Sequence, residues 1–144
     1  MAKKVDLGEG ITVSVPGNFP KHTLKQESDL RITSFNIQPH EKSLRFINFL
    51  EFIVSADKLD CLKRLPKEGY EIGNTNEEKL LINSQSVILK TIELKITHPC
   101  GSKEKGLIYA LEYFCQPKDK YIYLLTFTMT KNGFLDIAKT LKCY

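Results

Sequence analysis

Two apolar runs joined by a proline turn constrain this chain more than any other feature. Residues 105–115 alternate Leu107, Tyr109, Leu111, Tyr113 and Cys115 against Ile108, Ala110, Glu112 and Phe114. Residues 121–130 alternate Tyr123, Leu125, Phe127 and Met129 against Ile122, Leu124 and the threonines Thr126, Thr128 and Thr130. Between them lies Gln116-Pro117-Lys118-Asp119-Lys120, with Pro117 preset for the first central turn position. Side chains alternate faces along a strand, so this hairpin is apolar on both faces and belongs in the middle of a sheet covered on both sides.

The rest of the chain supplies partners for it. Val5 to Leu7 and Ile11 to Val15 flank Gly8-Glu9-Gly10, the pattern of two short strands around a tight turn, and Pro16-Gly17-Asn18 ends the second. Residues 30–37 alternate into a third strand, stopped at Pro39. Residues 69–76 and 79–82 read as a short extended element and a strand, with a turn at Asn83-Ser84. Residues 86–96 follow as a long strand with Ile88, Ile92, Leu94 and Ile96 mostly on one side.

Two segments read as helical. Residues 43–65 mix β-forming Phe46, Phe49, Phe52, Ile53 and Val54 with Leu59, Cys61, Leu62 and Leu65 at helical spacing before Pro66. The spacing predicts a helix over at least residues 55–65, starting nearer Asn48, with a strand over 44–54 as the rival. In residues 132–142, Phe134, Ile137, Ala138 and Leu141 form one apolar stripe, Asn132 suits the cap, and Lys139 and Lys142 suit the C-terminal end.

Composition closes off several classes. At 144 residues with 42% hydrophobic and 26% charged positions, the chain is expected to be one domain, 1–144, able to bury a core without a metal or disulfide. Lys and Arg exceed Asp and Glu by 21 to 17, but the excess is scattered and dominated by lysine, which disfavours nucleic acid as a partner. No apolar run reaches the roughly 18 residues of a membrane span, and the N-terminus carries no signal-peptide core, so a cytoplasmic protein is expected. In that setting the irregularly spaced Cys61, Cys100, Cys115 and Cys143 read as free thiols. His98-Pro99-Cys100 brings two ligands of a zinc site together but no second pair, so no metal is expected.

Catalytic constellations are equally sparse. Gly8-Glu9-Gly10 lacks the third glycine of a dinucleotide fingerprint and leads into a strand, so no cofactor is expected. Glu112 is the unusual carboxylate, mid-strand among apolar neighbours, and either works as an acid-base group or meets solvent or a lysine such as Lys90. Cys61, Cys100 or Cys115 with His22, His40 or His98 is the other catalytic pairing open to the chain. Tyr109, Tyr113, Tyr121 and Tyr123 lie on two strands that should pair, and either line a groove for a partner protein or pack beneath a helix.

The element order is hairpin, strand, helix, about four antiparallel strands, helix. It predicts an α+β fold, a three-layer α/β/α sandwich with a helix layer on each face of an antiparallel sheet. Ile11-Thr12-Val13-Ser14-Val15-Pro16 followed by Phe19, then Leu62-Lys63-Arg64-Leu65-Pro66, the central hairpin and the terminal helix resemble the Mog1/PsbP-like superfamily, in particular its small bacterial members that act as adaptor chaperones of type VI secretion effectors. Phe19 stands where tryptophan is frequent in that family, and Asn83-Ser84 where Asn-Gly is. The resemblance implies a non-enzymatic adaptor or chaperone that binds another protein; a homodimer is a further arrangement open to the chain. Regulation of a small GTPase, as in the Mog1 branch, or a small enzyme using Glu112 or a Cys/His pair are the alternatives.

Overall fold

The structure, a computed structural model, describes residues 2–19, 23–27, 29–36, 49–60, 70–97, 100–127 and 129–143, with residue 104 described by its backbone alone. Among the described residues ten strands and one α-helix follow one another: β1 Ala2–Gly8, β2 Ile11–Pro16, β3 Thr23–Glu27, β4 Leu30–Asn36, β5 Phe49–Ser55, β6 Tyr70–Ile82, β7 Gln85–Thr97, β8 Lys103–Cys115, β9 Lys120–Phe127, α1 Lys131–Ala138 and β10 Lys142–Cys143. They form two antiparallel sheets. A three-stranded sheet has the order β1-β2-β10, and a seven-stranded sheet has the order β3-β4-β5-β9-β8-β7-β6.

The three-layer α/β/α sandwich expected from the sequence is therefore not the fold. Where a helix layer was expected on one face of the large sheet, the small sheet covers it, assisted by α1. Val5, Leu7, Ile11, Val13 and Val15 of the small sheet share a buried cluster with Phe134, Ile137 and Leu141. From the large sheet that cluster takes Leu50, Phe52, Val54, Val87, Leu89, Tyr109, Leu111, Tyr113, Ile122 and Leu124. This is the inner face.

The first predicted helix is also corrected. Residues 49–55 are strand β5, the rival reading, because Phe52, Ile53 and Val54 are aromatic and β-branched and each face of the strand has an apolar layer to meet. Phe52 enters the inner cluster while Ile53 joins Ile32, Ala110, Tyr123 and Leu125 on the outer face. Residues 56–60 are a bend and irregular chain, and residues 61–65 of that expected helix lie outside the described residues.

The central hairpin forms as expected, with β8 between β9 and β7. One turn of 3-10 helix, Gln116–Lys118, and a left-handed Asp119 at φ 54° close it. Asn83 and Ser84 turn β6 into β7 with φ of 52° and 65°, the double left-handed geometry that matches strand twist. The two pieces read from residues 69–76 and 79–82 are one continuous strand, β6, with a register shift between Ile72 and Thr75. Burial changes sides along β7: Val87 and Leu89 are buried inward, whereas Ile92, Leu94 and Ile96 are buried outward with Ile108 and Phe127.

The terminal helix is shorter than its apolar stripe. Thr130, not Asn132, caps it by accepting the Gly133 N–H, and Ala138 is its last residue. Thr140 then ties the chain to β2: its hydroxyl accepts the Ser14 N–H at 2.8 Å and lies within donating distance of the Ile137 and Ser14 carbonyls. Leu141 stays buried, its carbonyl accepting from the Asn83 side-chain amide, and β10 pairs with β2. That pairing places Cys143 beside Cys115, with their Cα atoms 6.0 Å apart, and the two form a disulfide. The free-thiol expectation fails at these two positions, because cysteine spacing does not reveal a pair that only packing of the sheets brings together. Cys100 is a free, exposed thiol, and Cys61 lies outside the described residues.

Candidate functional site

The outer face of the large sheet carries a cavity of about 250 Å³ over β7, β8 and β9. The register sets its floor: Ile88 lies opposite Glu112, Lys90 opposite Ala110, Ile92 opposite Ile108, and Glu112 opposite Tyr123. These side chains share one face by the period of two. One wall is the segment after β5. The Ser55 hydroxyl, buried, donates to the Asp57 carbonyl and accepts the Asp57 N–H, which turns the chain and brings Lys58 and Leu59 over the sheet.

Glu112 sits at the centre of the polar contacts. Its Oε1 accepts from the Tyr123 hydroxyl at 2.9 Å, and that hydroxyl in turn accepts the Leu59 N–H at 2.7 Å. Lys58 Nζ stands 3.9 Å from Oε2. Lys90, the lysine named from sequence as a partner for Glu112, instead faces Glu77 of β6 at 3.9 Å and lines the same cavity. The carboxylate is thus occupied in fixing Tyr123 and the wall of the cavity. His22, His40 and His98 lie outside the described residues, so no Cys/His pairing is placed. Among the described residues there is no cluster of three His, Cys, Asp or Glu side chains that could hold a metal.

The four tyrosines do not come together. Tyr109 and Tyr113 point inward at 9% and 8% exposure, with Tyr109 stacked on Phe134 of α1 at 6.2 Å. They pack beneath the helix and the small sheet. Tyr121 and Tyr123 point outward, stacked on each other at 6.3 Å, and Tyr121 also meets Phe114 at 5.0 Å. Shared strands put the four near one another in the chain's topology, but β9 pairs with β8 in a register that sends one pair to each face.

What the sequence reading missed is the boundary of the cavity. Glu77 belongs to β6, the last strand of the large sheet among the described residues, and β6 is exposed over almost its whole length. Its outer face presents Ile72, Glu77, Lys79 and Leu81, with Leu81 75% and Ile72 47% exposed, and Ile88 of β7 extends this apolar border. On the inner side, Lys131 of α1 binds Glu78 at 2.7 Å. The opposite edge, β3, is a five-residue strand carrying a Lys25–Glu27 ion pair at 3.0 Å. A signal for the β6 edge existed in sequence: the polar run Asn74-Thr75-Asn76-Glu77-Glu78-Lys79 leading directly into Leu80-Leu81-Ile82.

Away from the sheet edge, Cys100 Sγ lies 3.0 Å from the Ser102 hydroxyl, which holds the thiol below its ordinary range. No helix among the described residues is long and apolar enough to cross a membrane. No protein-family model, curated protein or solved structure matches the chain.

Proposed function

We propose that the chain is a non-enzymatic protein-binding module that takes up a partner by strand addition along β6. The observation that carries this reading is the long exposed edge of the seven-stranded sheet, with Ile72 and Leu81 projecting from it. An open edge offers a row of backbone donors and acceptors that an extended segment can satisfy, while side-chain pockets beside it supply selectivity. The Glu77–Lys90 pair joins that edge to the cavity over Glu112, so a partner strand meets both. Adaptor, chaperone and GTPase-regulator roles are all forms of such a module. What the edge adds is the mode of recognition.

The Cys115–Cys143 bond supports a working environment that keeps thiols oxidised, because thiol buffers keep such bonds rare in the cytosol.

The test is selection of displayed random peptides on the immobilised protein, followed by amide hydrogen exchange with each selected peptide. The expected result is slowed exchange along β6 and loss of binding in Leu81→Lys. Peptides that leave β6 exchange unchanged, or a selection that yields none from a chain that is monomeric in solution, would overturn the reading.

A further inference from the structure

We infer that β6 pairs with β6 of a second copy, antiparallel about a two-fold axis at Glu78, and that the protein is a dimer through this edge. The inference rests on the strand-addition reading above and names its occupant. It follows from which self-pairings the charges on β6 allow. A two-fold pairing of identical antiparallel strands keeps each residue opposite one on the same face, so a residue must sit on the axis.

With Glu77 on the axis, two carboxylates face each other, each with Lys90 of its own copy only 3.9 Å away, and Lys79 meets only Thr75, so no opposite charges meet between the copies. With Lys79 on the axis, two ammoniums face each other and Glu77 meets Leu81. With Glu78 on the axis, Glu77 of each copy lies opposite Lys79 of the other, twice over. Thr75 then meets Leu81, and Asn76 meets Leu80. The axial Glu78 pair is already compensated, since Lys131 binds Glu78 at 2.7 Å within each copy. Moving the axis toward the N-terminus runs the pairing into the register shift between Ile72 and Thr75. Moving it to Leu80 sets Lys79 opposite Leu81. Only the Glu78 axis matches opposite charges on the outer face, where like charges directly opposed are destabilising.

The pairing also accounts for the charges themselves. Charged side chains on an edge strand guard against indiscriminate strand pairing. Here they leave one closed arrangement, and among the described residues the joined sheet then ends at the two β3 strands, which are short and carry the Lys25–Glu27 pair. Growth therefore stops at two copies.

Light scattering after gel filtration and sedimentation, from micromolar to millimolar protein, should show a concentration-dependent dimer. Lys79→Glu, which opposes two carboxylates twice, should weaken it by about tenfold. The double variant Glu77→Lys/Lys79→Glu should recover much of it, since the pair between copies is rebuilt in reverse while the Glu77–Lys90 pair within each copy is lost. Circular dichroism should show all three chains equally folded, the altered positions being exposed. A wild-type chain that stays monomeric throughout, or a dimer that the single and double variants affect alike, would overturn the inference. Monomeric protein whose β6 amides are still protected by selected peptides would sink self-pairing alone. Failure of both measurements would remove the strand-addition reading as well.

Discussion

The Tyr123 hydroxyl accepts the Leu59 N–H and donates to Glu112, so one buried side chain holds both the wall and the floor of the outer cavity. Tyr123→Phe removes both bonds, and a part-buried N–H left without a partner costs about 1–3 kcal/mol. We expect a loss of that size in the urea midpoint stability, with a smaller loss for Glu112→Gln, whose amide oxygen still accepts from Tyr123. Equal losses in the two variants would argue against the chain of contacts. Gly106 is constrained in a different way: a Cβ there would collide with the Phe127 ring. Gly106→Ala should therefore cost about 1–3 kcal/mol in the same measurement, the usual range for overpacking. Of these residues, Glu112 was legible in sequence, because a carboxylate in an apolar strand stands out. The separation of Tyr109 and Tyr113 from Tyr121 and Tyr123 was not, since face assignment across two strands depends on a register that neither strand encodes alone.

At the level of elements, long strands with strict alternation were legible, and β7 and β8 lie where their patterns put them, whereas β9 ends at Phe127 and Thr130, expected in the strand, caps α1 instead. Residues 49–55 were harder, because aromatic and β-branched residues ran into a helical spacing of leucines, and the vacancy between β4 and β9 decided for strand. The C-terminal stripe was right about what is buried and misleading about helix length. Leu141 reaches the core from beyond the helix, because Thr140 turns the chain onto β2. That turn is what makes the disulfide possible. The bond closes a separation of 28 residues and staples β10, a two-residue strand, to the end of β8. In the chain-entropy account a loop of this length contributes roughly 3–4 kcal/mol by restricting the unfolded state. Cys143→Ser should lose about that much in denaturant unfolding, and the wild type under reductant should lose a similar amount. Peptide mapping without reduction should recover the 115–143 cross-link; recovery of two alkylated thiols instead would contradict it.

For the whole molecule, the sequence reading supplied a correct demand and an incorrect means of meeting it. A sheet apolar on both faces needs cover, and helices were the expected cover because two segments had helical spacing. The chain meets the inner half of that demand with a second sheet built from its two ends, β1 and β2 from the N-terminus and β10 from the C-terminus. No local pattern announces a pairing between residues 11–12 and 142–143. The same topology governs how fast the fold can form. Leu50 pairs with Thr126 and Ser55 with Tyr121, so the middle of the large sheet closes only when distant parts of the chain meet. Loop closure must be completed before those contacts contribute, which slows folding of strand-rich topologies to milliseconds or seconds. Refolding by dilution from urea, followed by tyrosine fluorescence in a stopped-flow mixer, should therefore show its main phase in that range. Cys143→Ser, which lacks the tether between β8 and β10, should fold more slowly if that contact forms at the barrier and unfold faster if it forms later. A main phase finished within microseconds would mean that local contacts dominate, and would contradict the sheet order on which the β6 edge depends.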